Sequence, residues 1–319
     1  MMEGIGGYFE LELRRGQHYH EEALRLNTAR NGFEYVLRAR RYSKVYIPYY
    51  TCEVMLEPLK RLGVEYDFYA INENLEPGRE VRLEKGEVFL YTNYFGLKQR
   101  CVERLAEVYG KRLIVDNAQA FYAPRVEGID TFYSPRKYFG VSDGGYLYTD
   151  CRLDGELPRD KSWDRMEHLV RRLDEGAGAG YASFQESEAS LDNSPIKLMS
   201  RLTERVLAGV DYEWSRQRRR ENFLYLHGYM GERNKLKLEL QEGEVPMVYP
   251  LWVDAGEKLR QELIRNKIFV ATYWSNVLEW CPEGMLESEL ARNVLALPVD
   301  QRYMNEEIKK IIHLISVIL

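Results

Sequence analysis

The chain has 319 residues, enough for a large core and for two structural units rather than one. Its 45 Lys and Arg against 50 Asp and Glu leave a net charge of −5, which gives no field for nucleic acid, and no apolar stretch approaches membrane-spanning length. Four widely spaced cysteines, Cys52, Cys101, Cys151 and Cys281, form no Cys-x-x-Cys pair, which argues against a zinc site or a disulfide framework and for a reducing, cytoplasmic setting.

Met1-Met2-Glu3-Gly4 leads into no basic and apolar tract of the signal-peptide kind. His18 and His20 form a His-x-His with no further ligand nearby, so no metal is expected there. Residues 31–41 (NGFEYVLRARR) read as a helix with Phe33, Val36 and Leu37 on one face. A strand over 45–47 stops at Pro48, a helix follows over 53–62, and a strand over 64–69. Residues 88–91 read as a strand, 100–109 as a helix, and 113–115 and 130–133 as strands. Short buried strands alternating with helices predict an α/β fold, a mostly parallel sheet covered by helices.

Residues 151–195 are polar and read as irregular, with a tight or flexible glycine segment over 176–180. Residues 196–226 read as one long helix, whose run Arg216-Gln217-Arg218-Arg219-Arg220 is expected to be a solvated face. The chain then reads strand (247–253), helix (257–266), strand (269–274) and a last helix from residue 305. This predicts a large domain over 1–210 and a small C-terminal α/β domain over 211–319.

In an open α/β sheet, ligand groups collect at the carboxyl ends of the parallel strands. The strand over 113–115 delivers Asp116 and then Gln119; the strand over 130–133 delivers Ser134 and then Lys137. The first helix begins after Asn27-Thr28-Ala29-Arg30, a donor-rich run at a helix N-terminus, where free N–H groups and the dipole favour an anion. A lysine, an acid, a hydroxyl and an anion cradle together suit pyridoxal 5'-phosphate. That cofactor needs a lysine for its aldehyde, a carboxylate for its pyridine nitrogen, and donors for its phosphate. Each residue alone has a plainer reading: Asp116 as a cap, Gln119 as a partner for backbone groups, Asp143-Gly144-Gly145 as a hairpin turn. No Gly-x-Gly-x-x-Gly follows the first strand, against a dinucleotide-binding unit.

The stretches "IVDNAQAFYA" (114–123) and "SPRKYFGVSDGG" (134–145) resemble the two signature segments of the DegT/DnrJ/EryC1/StrS family of sugar aminotransferases, of aspartate-aminotransferase fold type I. "VYIPYYTCEV" (45–54), "FLYTNYFG" (89–96) and "LARNVLALPVD" (290–300) are similar to further segments of that family, in the same order. The resemblance implies that Lys137 forms the Schiff base and moves the substrate proton, and that Asp116 pairs with the pyridinium nitrogen. It implies that Gln119 lies by the ring hydroxyl, that Ser134, Thr28, Ala29 and Arg30 bind phosphate, and that Tyr50 and Asn93 line the cofactor. It also implies glutamate or glutamine as amino donor, a nucleotide-linked keto-sugar as acceptor, and a homodimer with shared active sites.

The sequence departs from the family in several places. The Ser134 to Lys137 spacing is short, the helix turn lacks Ser-Gly-Thr, and Ser142 replaces a glycine. Cys52 stands where an aromatic stacks on the ring, leaving Tyr49, Tyr50 or Phe121 to substitute, and "DNSPIKLMSRL" (192–202) replaces an Asn-Tyr-Arg-Met segment. Those departures keep open a different reaction on the same cofactor, or a non-catalytic binding protein. The family's dehydratases carry histidine at the lysine position, and Lys137 opposes that branch. For the acceptor, Arg260 and Arg265 fall on a helix, while Tyr273 and Trp274 in the run 272–276 are expected to face the sugar. Their plainer role is to pack the domain interface.

Overall fold

A computed structural model describes residues 5–319; the start of the chain, where a signal peptide would begin, lies outside the described residues. The first half builds one seven-stranded sheet. Its elements are β1 (Leu24–Leu26), α1 (Ala29–Arg40), β2 (Lys44–Pro48), α2 (Leu56–Leu62), β3 (Glu65–Tyr69), β4 (Glu87–Thr92), α3 (Gln99–Tyr109), β5 (Leu113–Asn117), β6 (Asp130–Tyr133) and β7 (Gly145–Tyr148). The strand order is β1-β7-β6-β5-β4-β2-β3, with β2 to β6 parallel and β7 antiparallel to both neighbours.

Both faces of this sheet are covered, which explains why its strands read as unbroken apolar runs. Alternation along β4 sends Val88 and Leu90 towards α1 and α2, where they meet Phe33, Val36, Leu37, Leu56 and Leu59. Phe89 and Tyr91 point the other way, into the larger cluster with Val102 and Leu105 of α3 and much of the C-terminal half. Helix α1 starts cleanly because the Thr28 hydroxyl accepts the Asn31 N–H. Gly145 is dictated by the same junction: a Cβ there would lie 2.4 Å from the Thr28 carbonyl carbon.

The second half contains α4 (Glu167–Glu175), α5 (Tyr181–Ala189), α6 (Arg201–Ala208), α7 (Tyr212–Met230), β8 (Val248–Trp252), α8 (Gly256–Arg265), α9 (Val277–Trp280), α10 (Leu286–Asn293), β9 (Val294–Pro298) and α11 (Asn305–Ile318). Strands β8 and β9 pair antiparallel into a separate small sheet. No helix among the described residues is long and apolar enough to cross a membrane.

Four expectations need correction. Residues 151–195 are not irregular throughout, since α4 and α5 form a helical pair; α5 has no apolar stripe to announce it, whereas α4 (EHLVRRLDE) is amphipathic at helix spacing but leaves its apolar side unburied. The single helix over 196–226 is three pieces. Residues 197–199 run along β1, with Asn27 N–H donating to the Lys197 carbonyl and Met199 N–H to that of Arg25. Ser200 and Asp211 then cap two separate helices. Residues 269–274 are not a strand: only Ala271 bridges, to Ala296, and Tyr273 and Trp274 leave the sheet to pack on other rings. Finally, Arg219 is not on a solvated face but is 1% exposed, the largest of the fully buried side chains.

Candidate active site

The parallel strands β2, β4, β5 and β6 all end on one edge of the sheet, and β1 ends there where β7 begins, with Leu26 opposite Gly145. This topology alone brings together the turn 27–30, the loop 49–52, Asn93, the turn 116–119 and the turn 134–137.

Lys137 ends a single 3-10 turn, Pro135–Lys137, that follows β6. Its side chain is exposed, yet burial among protein atoms is the main cause lowering its pKa. Among the smaller influences, Cys52 and Asp116 pull the pKa up and Arg136 pushes it down, so these three side chains neighbour the amine. Asp116, near the end of β5, is 5% exposed. Burial raises its carboxyl to about 6, against the pull of the Ala118 N–H, which donates to it at 2.8 Å, and of the Lys137 ammonium. The site thus holds a poorly solvated acid whose nearest cation is the lysine.

Around this pair the loops are cross-tied. Gln119 accepts the Phe95 N–H at 2.9 Å through its side-chain oxygen, and its own carbonyl accepts the Tyr138 hydroxyl at 2.7 Å. Phe95 has φ of 58°, and Gly96 beside it φ of 75°, where a Cβ would lie 2.8 Å from the Val245 carbonyl oxygen. Asn93 accepts the Lys98 N–H at 2.9 Å and is buried, so its amide serves this turn. The Thr28 hydroxyl is engaged as the α1 cap. Ala29 is half-buried beside it, and Ser134, 5% exposed, opens the turn of Lys137 without capping it. Arg30 pairs with Glu57 and lies 3.5 Å from Asp192.

Of the aromatic candidates, Tyr49 stacks on Phe68, and Phe121 is enclosed by His20, Tyr122 and Phe139. Tyr50 is fully buried, with Trp274 edge-on at 4.9 Å. Tyr273 lies 6.3 Å from Phe95, and the Asn276 amide donates to the Thr51 carbonyl at 3.0 Å, so the run 273–276 closes over the loop 50–52. The Tyr50 hydroxyl is buried without a hydrogen-bond partner, while the Thr92 hydroxyl lies against the Asp116 carboxyl and the Asn117 amide against the Tyr133 hydroxyl. His18 and His20 lie elsewhere: the first bonds the Tyr146 hydroxyl, the second the Phe121 carbonyl, and burial pushes both down to about 4.

Sequence reasoning missed Arg219. Its guanidinium lies 4.3 Å over the Tyr138 ring and donates to the carbonyls of Tyr138 and Met247 and to Gln301. Gln301 donates to the same Tyr138 carbonyl at 2.9 Å. The backbone just after Lys137 is thereby pinned to α7, to the approach to β8 and to the segment after β9. A signal was present: Ser215, Arg219, Asn222, Phe223, Leu226 and Met230 fall on one helical stripe, and all are buried. Arg136, discussed below, was likewise passed over.

No protein family model matches the chain, and no curated protein matches it. Solved structures do. A DegT DnrJ EryC1 StrS aminotransferase from Brucella abortus is 20% identical, with 93% of this chain and 85% of that one covered and a TM-score of 0.63. The sugar aminotransferase CalS13 from Micromonospora echinospora is 14% identical, covering 93% and 87%, TM-score 0.61. NtdA from Bacillus subtilis, solved with bound cofactor PMP, is 14% identical, covering 93% and 73%, TM-score 0.62. The chain shares their fold, the fold type I architecture expected from its sequence.

Proposed function

We propose that this chain is a pyridoxal 5'-phosphate-dependent aminotransferase that moves an amino group from glutamate or glutamine to a keto-sugar carried on a nucleotide. The observation that carries this reading is the solvent-exposed Lys137 beside the buried Asp116 carboxyl, at the carboxyl edge of the sheet. The residues present suit the cofactor: a buried acid short of a cation, a lysine of lowered pKa, and the buried, unpartnered hydroxyl of Tyr50.

Lys137 would hold the cofactor, Asp116 its ring nitrogen, and Thr28, Ala29, Arg30 and Ser134 its phosphate, with Gln119, Tyr50 and Asn93 around the ring. Bound there, the cofactor supplies an aldehyde and an electron-withdrawing ring that carries the amino group between donor and acceptor. Lys137, less ready to keep its proton than a lysine in water, takes the proton from the donor's α-carbon and returns it at the neighbouring atom. Asp116 stays ionised once a cation sits against it, and so keeps a proton on that cation.

The acceptor follows from the groups on the small-domain side. Arg260 is tied to the Val294 carbonyl and Arg265 pairs with Glu262 on the surface of α8. Tyr273 and Trp274 instead present aromatic faces suited to a sugar ring. The reading carries with it a cofactor-binding domain over 1–210, a smaller domain over 211–319, a cytoplasmic setting where nucleotide sugars are made, and a homodimer sharing its active sites. Val170 and Leu173 on α4, 53% and 85% exposed, are apolar surface that a second subunit would cover.

The test is spectroscopic. Purified protein given pyridoxal 5'-phosphate should develop the absorbance of lysine-bound cofactor, lose it with glutamate or glutamine, and regain it with a keto-sugar nucleotide. Turnover of pyruvate or oxaloacetate, with none of any keto-sugar, would reverse the acceptor assignment. An active monomer in sedimentation would remove the shared site.

A further inference from the structure

Arg136 precedes Lys137 on the same turn, and its side chain is only 16% exposed. Arg30, in the first turn of α1, is 11% exposed. Both guanidinium groups reach the same stretch of chain: Arg136 pairs with Glu188 on α5, and Arg30 lies 3.5 Å from Asp192 just after it. In keeping with this, Arg30 is, after burial, the largest cause lowering the Arg136 pKa, to about 10. The Nε atoms of both are buried with no hydrogen-bond partner. Like charges held together away from water repel strongly, so the pair is stable only with anions at hand.

The acids around these cations differ in how firmly they are held. Arg136 pairs with Glu188, and Arg30 with Glu57 and Asp192. Glu57 is 19% exposed, but Glu188 and Asp192 are 44% and 53% exposed. Glu188 is on α5, which buries only Ser187, and Asp192 follows that helix. Asp143, buried near Arg136, is taken up by the Ser200 N–H and the hydroxyls of Ser200 and Thr203. The cations are therefore set into the edge of the sheet and α1, while two of the three acids that pair with them hang from a shallowly packed hairpin. A phosphate dianion, with three acceptor oxygens and the first N–H groups of the 12-residue α1 beside it, would bind both guanidiniums better than two half-solvated carboxylates do.

We propose that Arg136, acting with Arg30, binds the cofactor phosphate, and that the Glu188 and Asp192 carboxylates occupy this pair until phosphate displaces them. This rests on the function proposed above and deepens it. Charge from two arginines replaces the amide-rich glycine turn that this chain lacks. The acids of α5 also make cofactor entry an exchange of anions rather than the filling of an open cradle.

Titration of the ligand-free protein with pyridoxal 5'-phosphate and, separately, with pyridoxal isolates the phosphate contribution. Arg136→Gln should weaken the phosphorylated form roughly tenfold or more while leaving pyridoxal within about twofold, and Arg136→Lys should recover part of the loss. Glu188→Gln should tighten the phosphorylated form and make inorganic phosphate a better competitor. The proposal is overturned if Arg136→Gln alters both ligands alike or neither, or if Glu188→Gln fails to tighten either anion. Should Arg136→Gln not fold, Glu188→Gln decides alone. A wild-type protein that binds neither ligand removes the functional reading and this one with it. A wild-type preference for the phosphorylated form that survives Arg136→Gln removes only the arginine assignment.

Discussion

Replacing Asp116 with asparagine should stabilise the ligand-free protein while weakening its hold on the cofactor. Burial raises this carboxyl from 3.8 to about 6, so the folded state binds the proton more tightly than the unfolded chain does. The destabilising effect is absent below pH 4, grows as the pH climbs towards 6, and is complete above it. With the side chain 5% exposed, screening by water is small, and the shift corresponds to about 3 kcal/mol at neutral pH. Asparagine has the same shape and can still accept the Ala118 N–H through its oxygen. In a chain of 319 residues, about 3 kcal/mol should raise Tm by roughly 4 °C. Thermal scans of ligand-free wild type and Asp116→Asn between pH 4 and 8 should show the variant ahead at pH 7 to 8 and the gap closing towards pH 4. With cofactor added the order should invert, because only the carboxylate gains a cation. A variant less stable than wild type at pH 8 without ligand, or a gap indifferent to pH, would refute the electrostatic account.

Borohydride reduction of the cofactor-loaded protein followed by peptide mapping should find the pyridoxyl adduct on Lys137; an adduct on Lys111 or Lys161 would sink that assignment. Arg219→Met should destabilise by about 3 kcal/mol in denaturant melts, since it strands the buried Met247 carbonyl and leaves that of Tyr138 to Gln301 alone; a loss under about 0.5 kcal/mol would show the guanidinium to be dispensable. Trp274→Ala should raise KM for the keto-sugar while leaving the donor half-reaction unchanged, and an equal effect on both halves would make Trp274 a packing residue only.

The sequence was most legible where local pattern and tertiary burial agree. The span 130–133 is a strand in full, and α1, α3 and α8 match their predicted spans to within two residues, because their buried positions repeat at strand or helix spacing. It misled where side chains serve distant partners. Tyr273 and Trp274 have strand-forming chemistry but pack on Tyr50 and Phe95, more than 170 positions earlier. The basic run at 216–220 suggested solvent, and only the register of the apolar stripe could have placed Arg219 inside. At the candidate site, strand ends located Asp116 and Lys137. No periodicity could indicate that Asn93 and Thr28 hold their own turns, or that Arg136 faces Arg30.

The pinning of Tyr138 bears on the order in which a nascent chain becomes competent. All seven strands of the main sheet have been synthesised by residue 148. The carbonyl after Lys137, however, takes its donors from Arg219 and Gln301, and Arg219 in turn needs the carbonyl of Met247. Translation proceeds from the N-terminus and early segments fold first, so the lysine turn waits, incompletely anchored, while more than 150 further residues emerge. On the proposed function, cofactor capture would then be a late event of biosynthesis, and a ribosome-stalled chain ending before residue 301 would carry a formed sheet without a finished lysine turn.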